Sequence, residues 1–213
     1  MTTPRLELLF PTPVVIADIE RHKEYKEKAL PLLEKKFKDS PNQIAPWALM
    51  EHTWTTYEKD EGLNIWDEQF EKLVYDYINY MNGSPIDWKI HVDSWFNVHD
   101  SNMYMEQHHH GGSIISGIYY LQLDKDKDFP ATFLNPSEQQ IERWQSKDCD
   151  FSPAMEGLFA STFPNYLNLK EGQLILFPSY LLHFVKRSRH QHDKLRVSYA
   201  FNIENHTNVI KKK

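Results

Sequence analysis

The sequence contains a single cysteine, Cys149, in 213 residues. No intrachain disulfide can form and no cysteine framework can hold zinc, so a bound metal must use His, Asp or Glu. Long apolar runs are missing too. Near the N-terminus the longest is Val14 to Ala17, just after Pro11 and Pro13, far short of a signal-peptide core or a membrane span. A cytoplasmic protein is expected, with no membrane partner. Positive charge is also in short supply: 24 Lys and Arg stand against 30 Asp and Glu, a formal net charge of −6. No chain-wide field exists to collect phosphates, so nucleic acid is not expected as a partner. The Lys211 to Lys213 tail reads as a solvated end. Internal repeats, low-complexity tracts and Gly/Ser linkers are absent, and nothing marks a domain boundary.

What is present suffices for one core. Hydrophobic residues make up 40% of the chain and aromatics 14%, which suits a single domain over 1–213. Its character changes near residue 84. Residues 1–83 read as mostly helical support. Leu30, Leu33 and Phe37 predict a helix from about Arg21 to Lys38 that Pro31 should kink or restart. Trp66, Phe70, Leu73, Val74, Tyr77 and Met81 predict a second, with Asn64 as cap and Gly83 just past its end.

Over 84–206 the period switches to two. Trp88, Ile90, Val92, Phe96 and Val98 alternate with Lys89, His91, Asp93, Asn97 and His99, the pattern of a strand with one face on a core. Strands are then expected at Tyr104–His110, Ile114–Leu123, Ala131–Leu134, Gln173–Phe177, Leu181–Lys186 and Leu195–Ile203. Many short strands without helices between them imply a β sandwich or barrel with flanking helices. The 136–168 segment has weak periodicity, and inserts of that length often serve as binding loops.

Three of the eleven histidines are consecutive, His108, His109 and His110. On a strand, side chains two apart share a face, so His108 and His110 would converge while His109 points away. The plain alternative is a solvated polar cluster. His183 sits in an apolar run, where it is either a core imidazole satisfied by a carbonyl or a third ligand brought up by an opposing strand. The last strand places Arg196, Ser198, Ala200 and Asn202 on one face and large apolar residues on the other. An inward Arg196 would need an anion, and a guanidinium fits a carboxylate best; an outward one would be an ordinary surface charge.

Taken in order, His-x-His, Ser116-Gly117-Ile118-Tyr119-Tyr120-Leu121, Phe177-Pro178-Ser179 with His183, and Arg196-x-Ser198 resemble the Fe(II)/2-oxoglutarate-dependent oxygenases. More narrowly, the chain is similar to a 2-oxoglutarate–Fe(II) oxygenase family of bacteria and phages. Leu9-Phe10-Pro11-Thr12-Pro13 and the Ser94-Trp95-x-Asn97 strand carry that narrower likeness. The resemblance implies a double-stranded β-helix, or jelly roll, using Fe(II), 2-oxoglutarate and O2 to hydroxylate or oxidise a small-molecule or peptide substrate, with release of succinate and CO2. A phage-borne gene would place it in the host cytoplasm. By position, the resemblance makes His108, His110 and His183 the metal ligands, and Arg196 with Ser198 the holders of the cosubstrate carboxylate. Asn97, Tyr104 and Tyr119 are expected as walls near the cosubstrate. Most such enzymes carry Asp or Glu where this chain has His110. Three histidines also suit a zinc or iron cupin-like enzyme that does not use 2-oxoglutarate, and Asp100 or Glu106 are the nearest alternative carboxylates. A non-catalytic jelly-roll interaction protein is the remaining alternative, and oligomeric state is open, a homodimer included.

Overall fold

The computed structural model describes residues 12–40, 54–57, 63–82, 89–134, 136 and 167–205. Cys149, Gly83, Trp88, the start of the Leu9–Pro13 motif and nearly all of 136–168 lie outside the described residues. In chain order the elements are β1 (Val15–Asp18), α1 (His22–Asp39), β2 (Trp54–Tyr57), α2 (Glu68–Asn82), β3 (Ile90–His99), β4 (Met105–His108), β5 (Ile115–Gln122), β6 (Thr132–Phe133), β7 (Gln173–Pro178), β8 (His183–Val185) and β9 (Arg196–Asn205).

The α1 helix runs unbroken through Pro31, against the expected kink or restart. Pro31 is exposed, and the opposite face buries Tyr25, Ala29 and Leu33 at four-residue spacing, which holds the turn that the missing N–H weakens. Asp67, not Asn64, caps α2: its Oδ1 accepts the Gln69 N–H at 3.0 Å, while Asn64 Oδ1 accepts from Trp66 in the turn before it.

Two antiparallel sheets follow. The larger has the order β1-β7-β5-β9-β3-β2 and the smaller β4-β8-β6, the jelly-roll arrangement. Strands β1 and β2 lie in the part expected to be helical and close the two edges of the larger sheet. Both helices pack on its outer face. Phe70, Val74, Tyr77 and Ile78 of α2 join Tyr25 and Leu33 of α1 over Phe96, Tyr119, Tyr199 and Phe201, each large side chain contributing about 1.5–3 kcal/mol of burial. Gly117 is opposite Phe201 in the β5–β9 ladder, and a Cβ there would sit 2.1 Å from the Phe201 ring; the glycine makes room for the aromatic.

The inner face turns toward the smaller sheet, and it is polar. Along β3 the expected alternation holds in phase but not in surroundings: Asn97 and His99, read as the side away from the core, are 7% and 3% exposed. From Trp95 onward both faces of that strand are covered, one by helices and one by the second sheet.

Candidate active site

Between the sheets lies a cavity with residues from both on its walls, including His108, His110 and His183 at one end and His99, Arg196 and Ser198 toward the other. His108 and His183 are direct cross-strand partners in the β4–β8 ladder, so the pleat points both rings inward. His110 stands just beyond β4, which ends two residues earlier than expected. Its placement therefore comes from a different cause than strand alternation. Its backbone N–H donates to Ser179 O at 2.9 Å, its ring stacks on Trp95 with centroids 5.8 Å apart, and the Asn202 side chain lies beside it. Asn202 is itself held, since Oδ1 accepts from Ser116 Oγ at 2.8 Å and Ser116 meets Ser179 Oγ at 2.8 Å. His109 is exposed.

One nitrogen from each ring lies within 4.8 Å of the others, and His110 Nε2 and His183 Nε2 are 3.4 Å apart. Two nitrogens each about 2.1 Å from a common ion stand roughly 3.0 to 3.4 Å apart at octahedral to tetrahedral angles. The Nδ1 atoms of His108 and His183 donate to Glu106 O and Leu181 O at 2.7 and 2.9 Å, which leaves both Nε2 lone pairs free for a ligand bond. Burial is the main force lowering all three imidazole pKa values, His110 to about 4 and His183 to about 3. The rings are neutral at neutral pH, the form a metal needs. Neither alternative carboxylate joins the cluster: Glu106 is exposed, and Asp100 Oδ1 accepts the N–H groups of Asn102 and Met103 in a turn.

Arg196 faces inward and is 3% exposed. Its Nη1 donates to Lys186 O and Phe129 O, and its Nη2 to Met103 O and to His99 Nδ1 at 2.8 Å. Burial lowers its pKa to about 10, opposed chiefly by the charge of Asp128, so it remains a cation at neutral pH. Among the described residues none of its hydrogen bonds goes to a carboxylate. A buried cation with carbonyl and imidazole partners alone calls for an anion. Asp128 acts from behind the carbonyls, accepting from Ser188 Oγ, His192 Nε2 and Asp124 N; it ties together the two loops that present Phe129 O and Lys186 O. No sequence pattern singled it out.

Ser198 and Asn97 line the cavity as partners across the β3–β9 ladder. The two expected tyrosines do not. Tyr119 points to the helix side, where its hydroxyl meets His22 Nδ1 at 2.6 Å; its neighbour Tyr120 lines the cavity instead, its hydroxyl accepting the Ala131 N–H. Tyr104 borders a separate surface groove, with the Arg187 guanidinium 5.1 Å from its ring. Asn97 Oδ1 and His99 Nε2, both on cavity-lining residues, have no hydrogen-bond partner among the described residues.

A jelly roll with three convergent imidazoles and a buried arginine between its sheets has the architecture of a metal- and oxoacid-dependent oxygenase. The family model described as "Putative 2OG-Fe(II) oxygenase" matches residues 93–202, which hold every one of these groups, and the chain belongs to that family. It is a 2-oxoglutarate/Fe(II)-dependent dioxygenase, with Fe(II), 2-oxoglutarate and O2 as cofactor and cosubstrates. The fold is similar to that of a Pseudomonas putida prolyl-4-hydroxylase, with TM-score 0.54, 10% identity, and 91% of this chain and 93% of that one covered. A prolyl hydroxylase from Trichoplax adhaerens, in complex with a hypoxia-inducible-factor peptide fragment, gives TM-score 0.54 at 14% identity over 90% and 83% of the two chains. AviO1 from Streptomyces viridochromogenes gives 0.53 at 8% over 92% and 91%. No curated protein matches the sequence significantly. No helix among the described residues is long and apolar enough to cross a membrane.

Proposed function

We propose that the protein hydroxylates or otherwise oxidises a C–H bond of a small-molecule or peptide substrate, with 2-oxoglutarate converted to succinate and CO2. In this reading His108, His110 and His183 hold the iron, while Arg196 and Ser198 hold the distal carboxylate of 2-oxoglutarate. One oxygen atom of O2 ends in succinate and the other in the product, so atoms and electrons balance. The observation that carries the reading is the pairing of three neutral, convergent imidazoles with a buried guanidinium in one cavity.

The iron, when bound, supplies open coordination sites and one-electron chemistry toward O2. The chain's own residues do the rest. His108 and His183 are fixed in one tautomer by Glu106 O and Leu181 O, and the stacked Trp95 ring and the backbone bond to Ser179 O hold His110 in place, so the ligands need little reorganisation to bind. Phe133 and Phe177 wall the His183 ring, with centroids 5.6 and 5.0 Å away, and keep water from that side. Arg196 neutralises an anion at a set distance from the imidazoles, which orients the cosubstrate. A third imidazole in place of the usual carboxylate leaves one more positive charge at the metal, favouring an anionic cosubstrate.

The test is metal analysis of protein purified without oxygen, together with succinate formation from 2-oxoglutarate. One iron per chain with turnover is expected. Stoichiometric metal without 2-oxoglutarate turnover would sink the reading.

A further inference from the structure

His99 has no assigned part in the chemistry, yet its position is unusual. It pairs with Arg196 across the β3–β9 ladder, is 3% exposed and lines the same cavity as the three imidazoles. Its Nδ1 lies 2.8 Å from Arg196 Nη2. A guanidinium can only donate, so His99 Nδ1 must accept, and the single proton of the neutral ring is forced onto Nε2. The neutral form is secure, because burial and the adjacent Arg196 charge push the His99 pKa well below its ordinary value. Arg196 thus sets the tautomer, and Nε2 becomes an obligatory donor. That donor has no acceptor among the described residues. Buried N–H groups without an acceptor are rare and costly, and the cavity is where an acceptor can arrive.

We infer that His99 is a further cosubstrate-binding residue, its Nε2–H donating to a carboxylate oxygen of 2-oxoglutarate beside the Arg196 guanidinium. The inference rests on the proposed use of 2-oxoglutarate. It gives the oxoacid two kinds of partner at one end: a guanidinium whose Nη hydrogens are spent on three carbonyls and His99, leaving its charge and its Nε–H, and a neutral N–H whose direction that guanidinium determines. It also makes the pair interdependent, since an Arg196 replacement frees His99 to adopt the other tautomer.

Two substitutions separate this role from simple support of Arg196. An Asn side chain puts an amide oxygen where His99 has Nδ1 but nothing at Nε2; a Gln reaches the Nε2 position with a donor. Isothermal titration of 2-oxoglutarate into zinc-loaded protein without iron reads affinity apart from turnover. His99→Asn is expected to weaken binding about tenfold and His99→Gln to stay within about threefold of wild type. The reverse order would make His99 a mere prop for Arg196 and overturn the inference. A second measurement needs no variant: in 15N-labelled wild type, the His99 Nε2–H resonance should be present before 2-oxoglutarate is added and should shift when it binds. An unprotonated Nε2, or a resonance that ignores the ligand, would also overturn it. If wild type fails to bind 2-oxoglutarate at all, the proposed function falls and this inference with it. Normal wild-type binding with an unaffected Asn variant would remove His99 alone.

Discussion

The two faces of β9 make opposite use of the same backbone. Val197, Tyr199, Phe201 and Ile203 point into the helix-covered core, and Arg196, Ser198, Ala200 and Asn202 point into the cavity between the sheets. Both sets are largely shielded from water, so burial does not distinguish them; what each meets does. The outer set meets rings and methyls, whose attraction is non-directional and adds up with area. The inner set meets oriented donors and acceptors, whose worth depends on angle and on a partner being present. One face should therefore set how stable the protein is, and the other what it binds.

The sharpest way to break that division is Phe70→Ala. Phe70 touches Tyr25, Trp66, Tyr119, Tyr199 and Phe201 within 6.1 Å between ring centroids, and its loss is expected to cost about 3–5 kcal/mol in urea unfolding. The 2-oxoglutarate affinity of the folded fraction should stay near wild type; an affinity loss as large as the stability loss would erase the distinction between the faces. On the other side, Arg196→Met removes charge-assisted hydrogen bonds of about 1.5–3 kcal/mol. Calorimetry should show at least a tenfold weaker response to 2-oxoglutarate with iron still bound, and an unchanged titration would take Arg196 out of the site. Within the metal cluster, anaerobic iron titration should find His110→Ala at least tenfold weaker while exposed His109→Ala matches wild type. The smallest effect is expected for Ser198→Ala, which removes one uncharged hydroxyl donor from a carboxylate that Arg196 still neutralises, about 1 kcal/mol, or roughly a fivefold rise in KM for 2-oxoglutarate with kcat little changed.

The strand periods and both helices were legible because each leaves a local pattern. The convergence of His108 with His110 was expected from strand alternation, but β4 ends at His108 and His110 is placed instead by its bond to Ser179 O and its stacking on Trp95. Other features were not legible, for reasons that lie in the fold. In β5 nearly every residue is buried, so hydrophobicity cannot tell Tyr119 from Tyr120. The distinction comes from the neighbouring strand: Tyr120 pairs with Ser198 on the polar face and Tyr119 with Tyr199 on the apolar one. His99 stood in the alternation of β3 as one more polar residue on a wet side, and only the second sheet shows that this side is interior. The Asp67 cap and the unbroken passage of α1 through Pro31 are decided by competing local signals of similar strength, which tertiary packing resolves.

The position of β9 bears on how the molecule is assembled. It is the final strand of the described chain, yet it sits in the middle of the larger sheet, joining β1-β7-β5 to β3-β2. Until it leaves the ribosome, β5 and β3 each present an open edge, the kind of surface that recruits other nascent chains. Closure is a long-range event and should be the slow one. Arg196 and Ser198 arrive on that same strand, so the anion-holding end of the cavity comes into being at the step that removes the two exposed edges. A chain whose synthesis stops before Arg196 would leave two half-sheets with open edges and a cavity lacking the wall that Arg196, Ser198 and Ala200 supply.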